Sequence, residues 1–256
     1  MFPELTVLQA MLGAVIVLLC STLQAAIGFA FSLFAVPLLM MSLGLPLPYI
    51  VTIVLTASTA QRCVTIAKLH EFVGWRELYP MIGIGILALP VGLFLLRLIS
   101  GQSQAVTRQC VGVLILLAMG MRLAFRMRPR KHIGRGWGLL ASFLGGILNG
   151  FANIGGPPMV LWLYAHDWPR DRLRATILAW SLPMVPFQVT LLLWSFGQDI
   201  LRAALLAACY LPLSFVGSFL GLSLGKRADE KQLRTIATAL LILIGLYNVL
   251  QPFLQH

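Results

Sequence analysis

Apolar runs of about the length that crosses a bilayer follow one another through this chain, and its charges lie in the gaps between them. Leu5 to Ile27, Tyr49 to Ala67, Pro80 to Ile99, Arg108 to Phe125, Ala175 to Phe196, Ile200 to Leu224 and Leu233 to Leu250 each read as a helix. A chain of this pattern must satisfy its backbone polar groups within each segment, which restricts it to membrane helices. Composition agrees: 59% of residues are hydrophobic and 11% charged, against about 25% charged in soluble domains. The expected fold class is an all-α polytopic membrane protein. A net charge of +11 does not point to nucleic acid, because the bases sit between spans, where they set orientation. Cys20, Cys63, Cys110 and Cys209 stand singly in apolar runs, with neither metal spacing nor a disulfide framework. Glu4, with no Lys or Arg before the first run, predicts a first helix that is retained rather than cleaved.

Two places depart from continuous helix. In Asn149-Gly-Phe-Ala-Asn153-Ile-Gly155-Gly156-Pro157-Pro158-Met-Val160, glycines favour ending a helix and prolines favour starting one. At membrane depth such a break is tolerated only when packed in protein or lining a cavity; the alternative is a loop at the membrane surface. The second place is Gly28, followed by Phe29 to Leu43, short for a full span and closed by Pro46 and Pro48. The two places are related. Val91-Gly92 corresponds to Val216-Gly217 and Gly120 to Gly245 at a spacing of 125, and Pro46 to Pro169 and Gly74 to Gly197 at 123. At this offset Ala30-Phe31-Ser32 falls on Gly155-Gly156-Pro157.

Charge tests the topology. If each broken pair returns to the side it entered from, with the N-terminus outside, 16 of the Lys and Arg residues fall on the cytoplasmic side. Only Arg97, Arg108 and Arg202 fall outside. A second pair that crossed once would divide the charges 10 to 9, so the positive-inside rule prefers the returning arrangement. The expectation is two inverted-topology repeats, each a broken or re-entrant helix pair plus three transmembrane helices. Residues 1–125 form the first, the basic linker 126–136 lies in the cytoplasm, and 137–256 form the second. The termini then lie outside a cell (inner) membrane, in the periplasm. This is the plan of many secondary transporters, whose sites lie near the midplane at broken helices.

Trp137 to Ala152 rises roughly 24 Å as a helix, which carries Asn153 past the middle of the bilayer. A half-helix starting near Pro157 presents unpaired N–H groups and a partial positive charge, an anion site. Gly155 and Gly156 allow close approach to the backbone, and Asn149 and Asn153 offer amide donors, unless they only cap the freed backbone. The first break adds Gly28 and Ser32. Thr59, Gln61 and Arg62 lie along the second half of their helix. Arg62 either recruits and binds an anion or snorkels to headgroups. Gln24 and Gln188 either line a path or tie helices together, and Arg174 reads as an orienting charge. Gly217, Gly221 and Gly225 form a close-packing stripe.

The run Asn153-Ile-Gly-Gly-Pro-Pro-Met-Val-Leu-Trp-Leu-Tyr164, with Arg172-Leu-Arg174-Ala-Thr176 after it, resembles the second signature of the sulfite exporter TauE/SafE family of membrane permeases. Gly28-Phe-Ala-Phe-Ser-Leu-Phe-Ala-Val-Pro37-Leu-Leu is similar to the first. Ala30, Phe31 and Ser32 stand where many relatives have glycines. The resemblance implies a permease for sulfite, sulfonates or other small, often sulfur-containing anions, or carboxylates.

All eight acidic residues fall in loops or helix ends. No carboxylate is therefore placed to bind Na⁺ or relay protons, and an inside-negative potential drives an anion outward by about 2.3 kcal/mol per charge per 100 mV. Export of a small anion is the leading function. The alternatives are an importer or cation-coupled symporter of a small organic acid, or a non-transporting membrane assembly protein. An enzyme is not expected: His70, His132, His166 and His256 lie in loops or at the terminus, and no zinc, nucleophile-elbow or phosphate-loop motif occurs. No cofactor, metal or partner protein is signalled.

Overall fold

A computed structural model describes residues 5–27, 31–124, 134–166, 168–227 and 230–254. Gly28, Asp167, Asp229, His132, His256 and most of the basic linker lie outside the described residues. The helices are α1 (Val7–Ile27), α2 (Phe31–Leu43), α3 (Leu47–Leu69), α4 (Trp75–Ser100), α5 (Gln104–Ala124), α6 (Arg135–Ala152), α7 (Gly156–Tyr164), α8 (Arg170–Ser181), α9 (Met184–Phe196), α10 (Asp199–Arg227) and α11 (Glu230–Leu254). Among the described residues there is no strand. Among the described residues six helical stretches are long and apolar enough to cross a bilayer: Val7–Ala26, Leu47–Phe72, Trp75–Ser100, Gln104–Met121, Asp171–Phe196 and Asp199–Gly221. The chain is an all-α polytopic membrane protein.

Two element boundaries differ from the sequence reading. The expected loop of residues 68–79 shrinks to a 3₁₀ turn, His70–Phe72, and its flanks, because α3 runs on to Leu69 and α4 starts at Trp75. Pro80 consequently lies inside α4, where the Arg76 carbonyl loses its helical partner. The helix expected over 175–196 starts at Arg170 and is interrupted at Leu182 and Pro183. Pro183 has no N–H and cannot continue the α-helical ladder; the turn closes instead through Val185 N–H to the Leu182 carbonyl, 3.1 Å.

Residues 7–124 hold α1 to α5 and residues 135–254 hold α6 to α11. α2 starts at residue 31 and α7 at residue 156, an offset of 125. Pro46 and Pro169, which cap α3 and α8, share nearly the same backbone conformation (φ −54°, ψ 145° and φ −56°, ψ 148°). Packing is exchanged between the halves: α1 runs along α10, α4 along α6 and α5 along α11. Glycines make these contacts close. A Cβ on Gly217 would meet the Leu18 carbonyl oxygen at 2.5 Å, and one on Gly221 would collide with the Thr22 carbonyl. On the other seam, Cβ atoms on Gly92, Gly146 and Gly150 would collide with the carbonyls of Ile147, Gly85 and Leu89. Gly92 and Gly217, paired by sequence offset, thus each press on the first helix of the other half. Lipid gives little hydrophobic drive to helix association, so close backbone packing carries it.

Gly150→Leu is expected to force α4 from α6 and destabilise the protein by about 1–3 kcal/mol. Gly120→Ala, where nothing lies within 4 Å, should be neutral or stabilising by up to about 1 kcal/mol. Thermal melts in detergent compare them.

Candidate functional site

The second break is closed by Asn153. It is the one described non-glycine residue with a positive φ (56°, ψ 28°), a conformation that asparagine tolerates better than most residues. Its N–H closes on the Asn149 carbonyl at 2.8 Å, and Ile154 N–H reaches the Leu148 carbonyl at 3.2 Å. This corrects the expectation that Gly155 and Gly156 end the helix. Gly155 has an ordinary φ of −68° and is required by packing: its Cβ would stand 2.5 Å from the Gly145 carbonyl oxygen and 2.9 Å from the Asn149 Cβ. Gly156 faces open space, with nothing within 4 Å of a Cβ there. Of the two glycines, only Gly156 has room for a ligand at its Cα.

α7 starts at Gly156, with Pro157 and Pro158 as its second and third residues. A helix leaves its first four N–H groups unbonded; here two of those positions are prolines, so only Gly155 and Gly156 can donate. The partial positive charge of the helix start remains, but the donors an anion needs must come largely from side chains.

Asn153 gathers them. Its Oδ1 accepts from Arg62 Nη2 at 3.4 Å, and its Nδ2 donates to Ser32 Oγ at 3.3 Å and Ser58 Oγ at 3.4 Å. One amide therefore joins the second break to the first turn of α2 and to α3. Ser58 and Arg62 are four residues apart on α3, hence on one face. Arg62 is only 7% exposed and Asn153 3%. Arg62 Nη1 is buried with no hydrogen-bond partner. α3 continues to Leu69, about 10 Å beyond Arg62, so this residue is not at the end of its helix. Snorkelling needs an exposed head, and the Arg62 guanidinium is enclosed by protein. Among the described residues it forms no ion pair; the described pairs join Arg172 to Glu77 and Arg202 to Asp199.

The other described sequence candidates are not bonded into this cluster. Asn149 and Gln188 satisfy one another: Asn149 Nδ2 donates to Gln188 Oε1 at 3.3 Å and Gln188 Nε2 to the Asn149 carbonyl at 2.8 Å. They bolt α9 to the end of α6. Gln61 Nε2 donates to the Ser214 carbonyl on α10 at 3.1 Å, and Thr59 Oγ1 to the Leu55 carbonyl at 2.7 Å. Gln24 is half-buried on α1 and makes no hydrogen bond among the described residues. Gly28 lies outside the described residues.

Three supports were not read from the sequence as parts of the site. Ser58 was visible there through its four-residue spacing from Arg62. Trp180 of α8 lies with its ring against Gly145 and Gly155 and donates from Nε1 to Ser142 Oγ at 2.7 Å; Ser142 in turn donates to the Met81 carbonyl. Arg174, read as an orienting charge, donates to the Ala25 carbonyl at 2.6 Å. It satisfies the C-terminal end of α1 just before the first break, where a cation is favoured. Nothing in the sequence marks either long-range contact.

Membrane-spanning helices enclosing two short helices, with a half-satisfied guanidinium buried where those helices start, define a polytopic membrane protein with an internal polar site of the permease type. The sulfite exporter TauE/SafE family matches residues 13–248. The chain belongs to that family, and is a membrane transporter of it. It is also similar to the probable sulfite/organosulfonate exporter TauE of Cupriavidus necator, 25% identical over 243 residues that cover 93% of this chain and 91% of the relative. No solved structure matches the chain significantly.

Two substitutions separate the backbone and side-chain roles of Asn153. Asn153→Gly keeps the left-handed turn without strain and loses the amide, whereas Asn153→Ala loses both. Ala is expected to melt lower than Gly by about 1 kcal/mol, and both should lose anion-dependent thermal stabilisation. Equal melting with retained stabilisation contradicts both assignments.

Proposed function

We propose that this chain moves a small monovalent or divalent oxyanion, with a sulfonate or sulfite as the leading substrate and a carboxylate as a related one, outward across the cell (inner) membrane. The observation that carries the reading is the buried Arg62 Nη1 without a protein partner, beside the loose Asn153 contact at the start of α7. A guanidinium offers a planar pair of donors that matches two oxygens of a sulfonate or carboxylate. Asn153 Nδ2 and the Ser32 and Ser58 hydroxyls lie within reach of one another as neutral donors, and the Gly156 face is open for the approach. The name of the Cupriavidus necator relative supports a sulfur oxyanion over a carboxylate.

The two halves, residues 1–125 and 137–256 around the linker, are read as inverted repeats. The exchanged packing of α1 on α10 and α4 on α6 supports this. Arg62 and Arg174 on the cytoplasmic side and Arg108 outside are engaged inside the protein, which leaves 14 charges against 2. The remaining excess still favours periplasmic termini and a cytoplasmic linker. Asn149, Gln188, Gln61 and Gly155 hold the site in shape in this reading, and Asn153, Arg62, Ser32, Ser58 and Gly156 face the substrate.

Proteoliposomes loaded with labelled sulfite, a sulfonate such as sulfoacetate, thiosulfate or a carboxylate test it. Arg62→Ala is expected to lower kcat/KM for the preferred anion by about 100-fold, in line with removing one partner of a buried charge-assisted bond. Arg62→Lys, which keeps the charge but not the fork, should lose about tenfold. Normal flux in both variants would place the substrate elsewhere.

A further inference from the structure

Arg62 presents a problem for the return half of a transport cycle. The guanidinium stays charged at any physiological pH, is 7% exposed and forms no ion pair among the described residues. Its one described bond is the 3.4 Å contact to the neutral Asn153 amide, and Nη1 has no partner. A charge can be enclosed in protein only when an opposite charge accompanies it; otherwise the enclosed state is strongly disfavoured. Open to water on either side, Arg62 is hydrated and needs no companion. Passing between the two sides through the enclosed arrangement, it needs one. A substrate anion supplies that companion on the way out. Among the described residues no carboxylate is seen to supply it on the way back: Glu77 and Asp199 are committed to arginines near helix starts, Glu71 lies in the 3₁₀ turn after α3, and Asp171 lies in the first turn of α8.

We infer that the transporter is an anion exchanger, in which a small inorganic monoanion such as chloride occupies the Arg62 site on the return step. This rests on the anion-carrier reading above and replaces the expectation of export driven by membrane potential alone. The return anion must be small. It needs no directional donors, because a single guanidinium N–H and the Gly156 opening suffice for a spherical ion, whereas the substrate engages the amide and hydroxyls as well. Exchange also makes the electrical driving force depend on the difference between the two charges. A sulfonate monoanion exchanged for chloride moves no net charge, and a sulfite dianion exchanged for one chloride moves one.

The test uses the full chain in proteoliposomes loaded with labelled sulfoacetate, with equal potassium and valinomycin on both sides to hold the potential at zero. Efflux is measured into chloride, into unlabelled sulfoacetate, and into gluconate, a bulky organic anion used as the non-exchanging control. The inference predicts efflux at least about tenfold faster into chloride or sulfoacetate than into gluconate. Arg62→Gln, which has no charge to neutralise, should carry anion slowly and at the same rate into all three media. Equal wild-type rates into all three media would overturn exchange while leaving anion transport intact, and equal rates into chloride and gluconate alone would overturn chloride as the return ion. Absence of efflux into every medium would overturn the transport reading on which exchange depends.

Discussion

A guanidinium enclosed among membrane helices is a constraint that the surrounding structure has to answer. Leaving such a charge without its partner costs about 3–5 kcal/mol, which is a large share of the stability of any domain. The fold places this cost at Arg62, and the described groups bonded around it are neutral: the Asn153 amide, with the hydroxyls of Ser32 and Ser58 around that amide. A carboxylate beside Arg62 would remove the strain and with it any reason for an anion to enter. On the proposed reading the cluster is held ready by what it lacks, and an anion restores the balance.

Holding it ready requires that the helix starts stay where they are. The seams at Gly217 and Gly221 against α1, and at Gly92, Gly146 and Gly150 between α4 and α6, bring backbones together more closely than any other residue permits. Trp180 wedges between Gly145 and Gly155, and the reciprocal Asn149–Gln188 bonds fix the last turn of α6. Arg174 closes the end of α1 on the other side. These contacts hold the break after α6 against α3, so that Asn153, in a left-handed turn, can reach two elements, α2 and α3, with one amide. Pro157 and Pro158 strip two N–H groups from the helix start. That makes the side chains, rather than the helix end, the principal donors.

Much of this could be read in the sequence, for reasons that differ by level. Apolar runs and their intervening bases report directly on the bilayer, so the fold class and most helices followed from composition and length. The Gly-Gly-Pro-Pro run marked a break, and Asn149 and Asn153 were legible as amides beside it. Which glycine does what was not legible, because Gly155 and Gly156 have the same chemistry and differ only in what stands 2.5 Å away from one and not the other. The kink at Pro183 was visible as a proline but was outweighed by the apolar run around it. The split between Arg62, buried and unpaired, and Arg174, bonded to the Ala25 carbonyl, depends on long-range packing. Local sequence gives both the same appearance, an arginine near polar residues in a helix.

The central claim is that Arg62 Nη1 and Asn153 Nδ2 are donors to an anion at the start of α7. An experimental structure of the protein with a bromine-labelled alkylsulfonate tests it most directly, because anomalous scattering locates the bromine and fixes the sulfonate beside it. The account predicts sulfonate oxygens within hydrogen-bond distance of both nitrogens, with the Arg62–Asn153 contact shortened or replaced. A sulfonate bound away from Arg62, with Nη1 still unpartnered, would contradict it.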